Sequence, residues 1–113
     1  MKGILEVELD GTLSSNNPID FLPVENHFFP SIPVGNTPMW HPKILSDKIG
    51  INELYFKDDG VNPTGSLKDR ASYLVAAFAI KYNVKEVVVA STGNAGSSIA
   101  GVAAAAGLKV KLF

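Results

Sequence analysis

The run Asn62-Pro63-Thr64-Gly65-Ser66-Leu67-Lys68-Asp69-Arg70 sets an amine, a carboxylate and a guanidinium in consecutive positions behind a loop rich in turn formers. Helical periodicity begins at the same point, so Lys68 is expected in the first turn of a helix. There the positive end of the helix dipole disfavours an ammonium by a few tenths to about 1 kcal/mol. The neutral amine, the form that attacks a carbonyl carbon to give an imine, is favoured correspondingly. A bare Gly-Ser-x-Lys would equally suit a polar loop whose Lys, Asp and Arg are simply solvated, so this run does not decide the matter alone.

A second group, Ser91-Thr92-Gly93-Asn94-Ala95-Gly96, follows an apolar run and opens an Ala-rich one. Hydroxyls and backbone N–H groups at such a strand-to-helix turn converge on one spot and suit a carboxylate or phosphate. The bland alternative is an ordinary turn in which Ser91 or Asn94 caps the helix. The Gly-x-Gly-x-x-Gly spacing of dinucleotide binders is missing, which disfavours a Rossmann dehydrogenase. With no Cys, and with His27 and His41 isolated from one another, no metal site is expected.

These groups need a scaffold, and the sequence outlines one. Residues 3–9 alternate as a short edge strand would, and Gly11 to Pro18 supply turn formers. From Phe21 to Pro42 five prolines among aromatics exclude regular helix or central strand, leaving an extended arm. Leu54-Tyr55-Phe56 is β-prone. Leu67 to Tyr82 has apolar residues at 67, 71, 74, 75 and 78, one face of a helix, with Ser66 as its cap and Asp69 at its third position. The β-branched run Glu86 to Ala90 predicts a buried parallel strand. A helix is expected over about 95–106, closed by Gly107 in the left-handed region, with a further strand from Val110. Strand, helix, strand, helix, strand is the order of a parallel α/β sheet with right-handed crossovers. The division is residues 1–50, strand and arm, and 51–113, lysine loop and the first, incomplete part of a small α/β domain.

Taken together in this order, Gly35-Asn36-Thr37-Pro38, Asn62 to Arg70 and Ser91-Thr92-Gly93-Asn94 resemble the fold-type II pyridoxal-phosphate enzymes, a family that includes threonine synthase, cysteine synthase, threonine dehydratase and the tryptophan synthase β chain. The form Pro-Thr-Gly-Ser-x-Lys-Asp-Arg is most similar to the threonine synthase branch. The resemblance covers roughly residues 21–113 and implies a partial three-layer parallel α/β sheet with an extended Pro-rich N-terminal arm. It further implies that Lys68 holds pyridoxal 5′-phosphate as a Schiff base and later moves protons, and that Asn94 hydrogen-bonds the cofactor's 3′ oxygen. Ser91, Thr92 and Ala95 are implied to hold the substrate carboxylate. The implied reaction, part of threonine biosynthesis, turns O-phosphohomoserine and water into threonine and phosphate.

Leu67, where the family usually has an aromatic residue, and Ala71-Ser72, in place of the usual Gly and apolar residue, depart from the pattern and leave the substrate open. The family's Gly-rich phosphate cup, which follows the Asn94 motif at a distance, is absent from these 113 residues. The chain therefore reads as the N-terminal part of a longer lyase, silent by itself and prone to self-association through its apolar strands and arm. A sister enzyme of the family, such as cysteine synthase or a diaminopropionate or threonine lyase, and a non-catalytic α/β module that kept the lysine motif, stay open as alternatives.

The formal charge of −1, from 10 basic and 11 acidic residues, gives no pull toward nucleic acid or anionic lipid. The partner expected is a small amino-acid substrate. No apolar run approaches the roughly 20 residues of a membrane span, and the acids in the first ten residues do not suit a signal peptide, so a cytoplasmic location is expected.

Overall fold

The computed structural model describes residue 8 and residues 16–113. The edge strand expected over residues 3–9 and most of the first turn cluster lie outside the described residues. From Asn16 the chain runs as an arm with single 3₁₀ turns at Pro18–Phe21 and Asn26–Phe28. Fixed proline angles and missing N–H donors keep it from forming anything longer.

The arm ends in β1 (Met39–Trp40), which pairs antiparallel with β2 (Phe56–Lys57). Only two residues on each side pair, Met39 with Lys57 and Trp40 with Phe56. The β-prone run at 54–56 thus contributes only its last residue to a strand. Between these strands lies α1 (Lys43–Ile49), an element the sequence reading left unassigned. Its signals are local: Pro42 stands before the first turn, the Lys43 amine meets the Asp47 carboxylate four residues on at 2.9 Å, and Gly50 closes the helix at φ +74°.

The C-terminal half follows the expected α/β order. Helix α2 (Lys68–Lys81) leads to β3 (Glu86–Val89), then α3 (Asn94–Ala105) and β4 (Lys109–Leu112). Strands β3 and β4 pair in parallel, from Glu86 opposite Lys109 to Val89 opposite Leu112. Gly107 stands at φ +68°, the left-handed closure expected after α3.

Two expectations about burial are corrected. The face of α2 assigned to the core, 67, 71, 74, 75 and 78, is turned largely outward: Leu67 is 57% exposed and Val75 46%. The buried face carries Asp69, Ser72, Ala76, Ala77 and Ala79. It packs on Ser98, Ile99, Val102 and Ala103 of α3, so two helices meet through small side chains that allow close approach. Nor is β3 buried. It alternates between half-buried and exposed positions, with Val88 63% exposed, because β4 is its one partner strand among the described residues and one face of the pair is open. A continuous β-branched run marks the capacity for two-sided burial, and here one side is used.

Candidate functional site

Lys68 is the first residue of α2 and is exposed. Among the described residues no hydrogen bond or ion pair engages its amine. Ser66 does cap, one residue earlier than a standard cap: its hydroxyl accepts the Lys68 backbone N–H at 3.2 Å. The helix starts at Lys68, so Asp69 is its second residue rather than its third.

Asp69 is not solvated. It is fully buried, and its carboxylate reaches back along the loop to accept the Thr64 N–H at 2.7 Å and the Thr64 hydroxyl. Burial is the largest single influence and pushes the Asp69 carboxyl up, but the nearby Ser98 hydroxyl and the Thr64 donors together outweigh it and hold the group below its usual range. Ser98 also shares a buried hydrogen bond with Ser72 across the helix interface, 2.7 Å between the oxygens.

That joint relates the two halves of the site. Lys68 lies four residues before Ser72, and Asn94 four residues before Ser98, so each helix start is one turn, about 6 Å, from the same contact. Both motifs are therefore drawn to one region. Asn94 is the first residue of α3 and is exposed, as is Thr92, while Ser91 and Ala95 are half-buried. Neither Ser91 nor Asn94 caps the helix: Gly93 takes the cap position, and Ser91 instead accepts the Gly93 N–H at 3.3 Å. The N–H groups of Asn94, Ala95 and Gly96 have no acceptor among the described residues, which leaves them directed at whatever lies beyond the helix start. Gly96 is required for space. A Cβ there would stand 2.3 Å from the Ser91 carbonyl oxygen, so the turn folds directly over it.

A third motif, Gly35 to Pro38, joins through Arg70. The guanidinium donates to both oxygens of Asp59, at 2.8 Å from Nε and 2.7 Å from Nη2, and also to the Thr37 hydroxyl at 3.2 Å. Thr37 donates to Asp59 at 2.7 Å. Asn62, buried in the lysine loop, accepts the Gly35 N–H and donates to the Asp59 carbonyl, both at 2.9 Å. The Lys57 amine donates to the Thr37 carbonyl, closing the connection between arm and loop. None of Thr37, Asp59, Asn62, Thr64, Arg70, Ser72 or Ser98 drew a role from the sequence. The signal that could have found them is that polar residues clustered inside motifs are positioned to satisfy one another.

The Arg70 hydrogen bonds first, and that of Thr37 second, hold the Asp59 carboxyl far below its usual 3.8. A depressed folded-state pKa contributes stability above the unfolded value, and that contribution disappears as pH falls below it. Acid unfolding should therefore set in below about pH 4, and Asp59→Asn should flatten this limb of the stability curve; circular dichroism against pH checks it. An identical acid limb in the variant would show that the pair contributes nothing.

No group of three His, Cys, Asp or Glu residues is placed to hold a metal among the described residues. The His41 Nδ1 donates to the Leu54 carbonyl at 2.7 Å and is structural. The residues at the two helix starts fit a pyridoxal phosphate. An unpartnered amine and an exposed amide stand at neighbouring helix starts, beside free backbone donors and a turn that a Cβ at 96 would obstruct.

The model of the pyridoxal-phosphate dependent enzyme family matches residues 31–113. Threonine synthase of Methanosarcina acetivorans is 42% identical over 89 residues, 79% of this chain and 22% of that protein. Threonine synthase of Methanocaldococcus jannaschii is 39% identical over 92 residues, 80% of this chain and 23% of its own length. That of Bacillus sp. is 40% identical over 91 residues, 79% and 25% respectively. The chain spans about a quarter of the length of these relatives. With the family model matching residues 31–113, this chain belongs to the pyridoxal-phosphate dependent enzyme family.

Proposed function

We propose that the protein to which this chain belongs is a threonine synthase, converting O-phosphohomoserine and water to threonine and phosphate. The observation that carries the reading is the buried Ser72–Ser98 joint, which draws the lysine and asparagine motifs to one region. The similarity to threonine synthases supports the choice of branch. When bound, pyridoxal phosphate supplies an electron sink for charge that develops beside the amino-acid carbon. Lys68 holds the cofactor through Nζ and, once released, carries protons at that atom. Asn94 donates to the 3′ oxygen and fixes the ring's direction. Ser91, Thr92 and the N–H of Ala95 take the substrate carboxylate at the start of α3, where anions are favoured.

The test is a product assay on the full-length protein with pyridoxal phosphate. Equimolar threonine and phosphate from O-phosphohomoserine is the expected result. Cysteine formed from O-acetylserine and sulfide, or ammonia released from threonine, with no turnover of O-phosphohomoserine, would move the protein to a sister activity.

The 113-residue chain alone should be inactive and should self-associate. Trp40, Val88 and Phe113 are all more than half exposed, and both outer edges of the β3–β4 pair are open among the described residues. Light scattering is expected to show dimers or larger species as concentration rises. A monomer at high concentration would contradict this. No helix among the described residues is long and apolar enough to cross a membrane.

A further inference from the structure

Asp69 is fully buried, the donors that reach its carboxylate are neutral, and it is the immediate neighbour of Lys68. Its partners are not scattered. The Thr64 N–H and hydroxyl close residues 64–69 into a ring that contains Lys68, and Ser66 holds the Lys68 N–H from inside it. The ring also lies directly on α3, because a Cβ on Gly101 would come within 2.6 Å of the Thr64 methyl. Every polar side-chain atom buried among the described residues has a partner, so the carboxylate is spent on this arrangement. A carboxylate buried on neutral donors is a costly way to hold two helices together if packing is all that is required. What it gives beyond packing is direction, since each hydrogen bond fixes a distance and an angle.

We propose that the Thr64–Asp69 clasp, seated on α3 at Gly101, is a positioning device that sets how readily Lys68 captures the cofactor aldehyde, by fixing the backbone of Lys68 relative to α3. This rests on the reading of Lys68 as the cofactor lysine. Asp69 acts through Lys68 and touches neither cofactor nor substrate. A misplacement of about 1 Å at a reacting group can slow a step by about a hundredfold.

The experiment uses full-length protein freed of cofactor, to which pyridoxal 5′-phosphate is added while the absorbance of the lysine-bound form is followed by stopped flow. Thr64→Val removes the hydroxyl and keeps the methyl against Gly101; Thr64→Ser keeps the hydroxyl. Capture by Thr64→Val should be slowed about tenfold or more, with Thr64→Ser restored to near the wild-type rate. Asp69→Asn, which keeps the shape but loses one of the two acceptors, should be slowed in the same sense, and its rate decides the matter if Thr64→Val does not fold. Wild-type rates in Thr64→Val, or in Asp69→Asn where it stands in, overturn the clasp while leaving Lys68 as the cofactor lysine. No lysine-bound absorbance in the wild type overturns both.

Discussion

Replacing Lys68 by Ala in the full-length protein should lower turnover by about a thousandfold or more and abolish the absorbance of lysine-bound cofactor, since the residue both holds the cofactor and moves protons. The fold should barely notice. Lys68 is exposed, its amine has no partner among the described residues, and Ala is at least as good a helix former, so the stability change should stay within about 0.5 kcal/mol. Activity within tenfold of wild type, at unchanged stability, would remove Lys68 from its role. The separation of a large kinetic effect from a small thermodynamic one is the useful part, because a structural lysine would move both or neither.

Gly96→Ala should produce the opposite pattern, with the largest effect on the structure itself. In a helix the change ordinarily stabilises by about 0.5 to 1 kcal/mol. Here the new Cβ would stand 2.3 Å from the Ser91 carbonyl oxygen and 3.3 Å from its carbon, both backbone atoms that cannot swing aside. Overpacking of this kind costs about 1 to 3 kcal/mol and exceeds the propensity gain. The Ser91–Asn94 turn must shift, so the midpoint of chemical denaturation should fall and the full-length protein should lose substrate affinity. A midpoint equal to or above wild type would show that the turn has room, and the reading of Gly96 as a space requirement would fail.

What the sequence made legible, and what it did not, follows from the kind of contact involved. The alternation from α2 to β4 and the closure at Gly107 depend on local signals, namely periodicity, β-branching and one left-handed residue, and they are where they were expected. The buried face of α2 was misread because periodicity weighs large apolar residues. This helix approaches its neighbour through Ser72, Ala76 and Ala79 and leaves Leu67 and Val75 outside. Close helix contact selects for smallness, which a hydrophobicity pattern does not register. Asp69, expected simply at the third helical position, is buried because its carboxylate turns back onto Thr64, a contact that periodicity does not register. The Arg70–Asp59–Thr37 connection is of the same type, since pairings across 11 and 33 positions have no local signature. The motif residues themselves were readable, while the reason several of them are polar became visible only with the loops in place.

Lys68 Nζ is the atom on which the cofactor is expected. Full-length protein loaded with pyridoxal 5′-phosphate, reduced with borohydride, digested and analysed by mass spectrometry will carry the cofactor irreversibly on whichever lysine held it. The mass increment is expected on the peptide containing Lys68 and on no other. Its appearance on Lys57, Lys81 or any other lysine, with Lys68 unmodified, would contradict the assignment of the site.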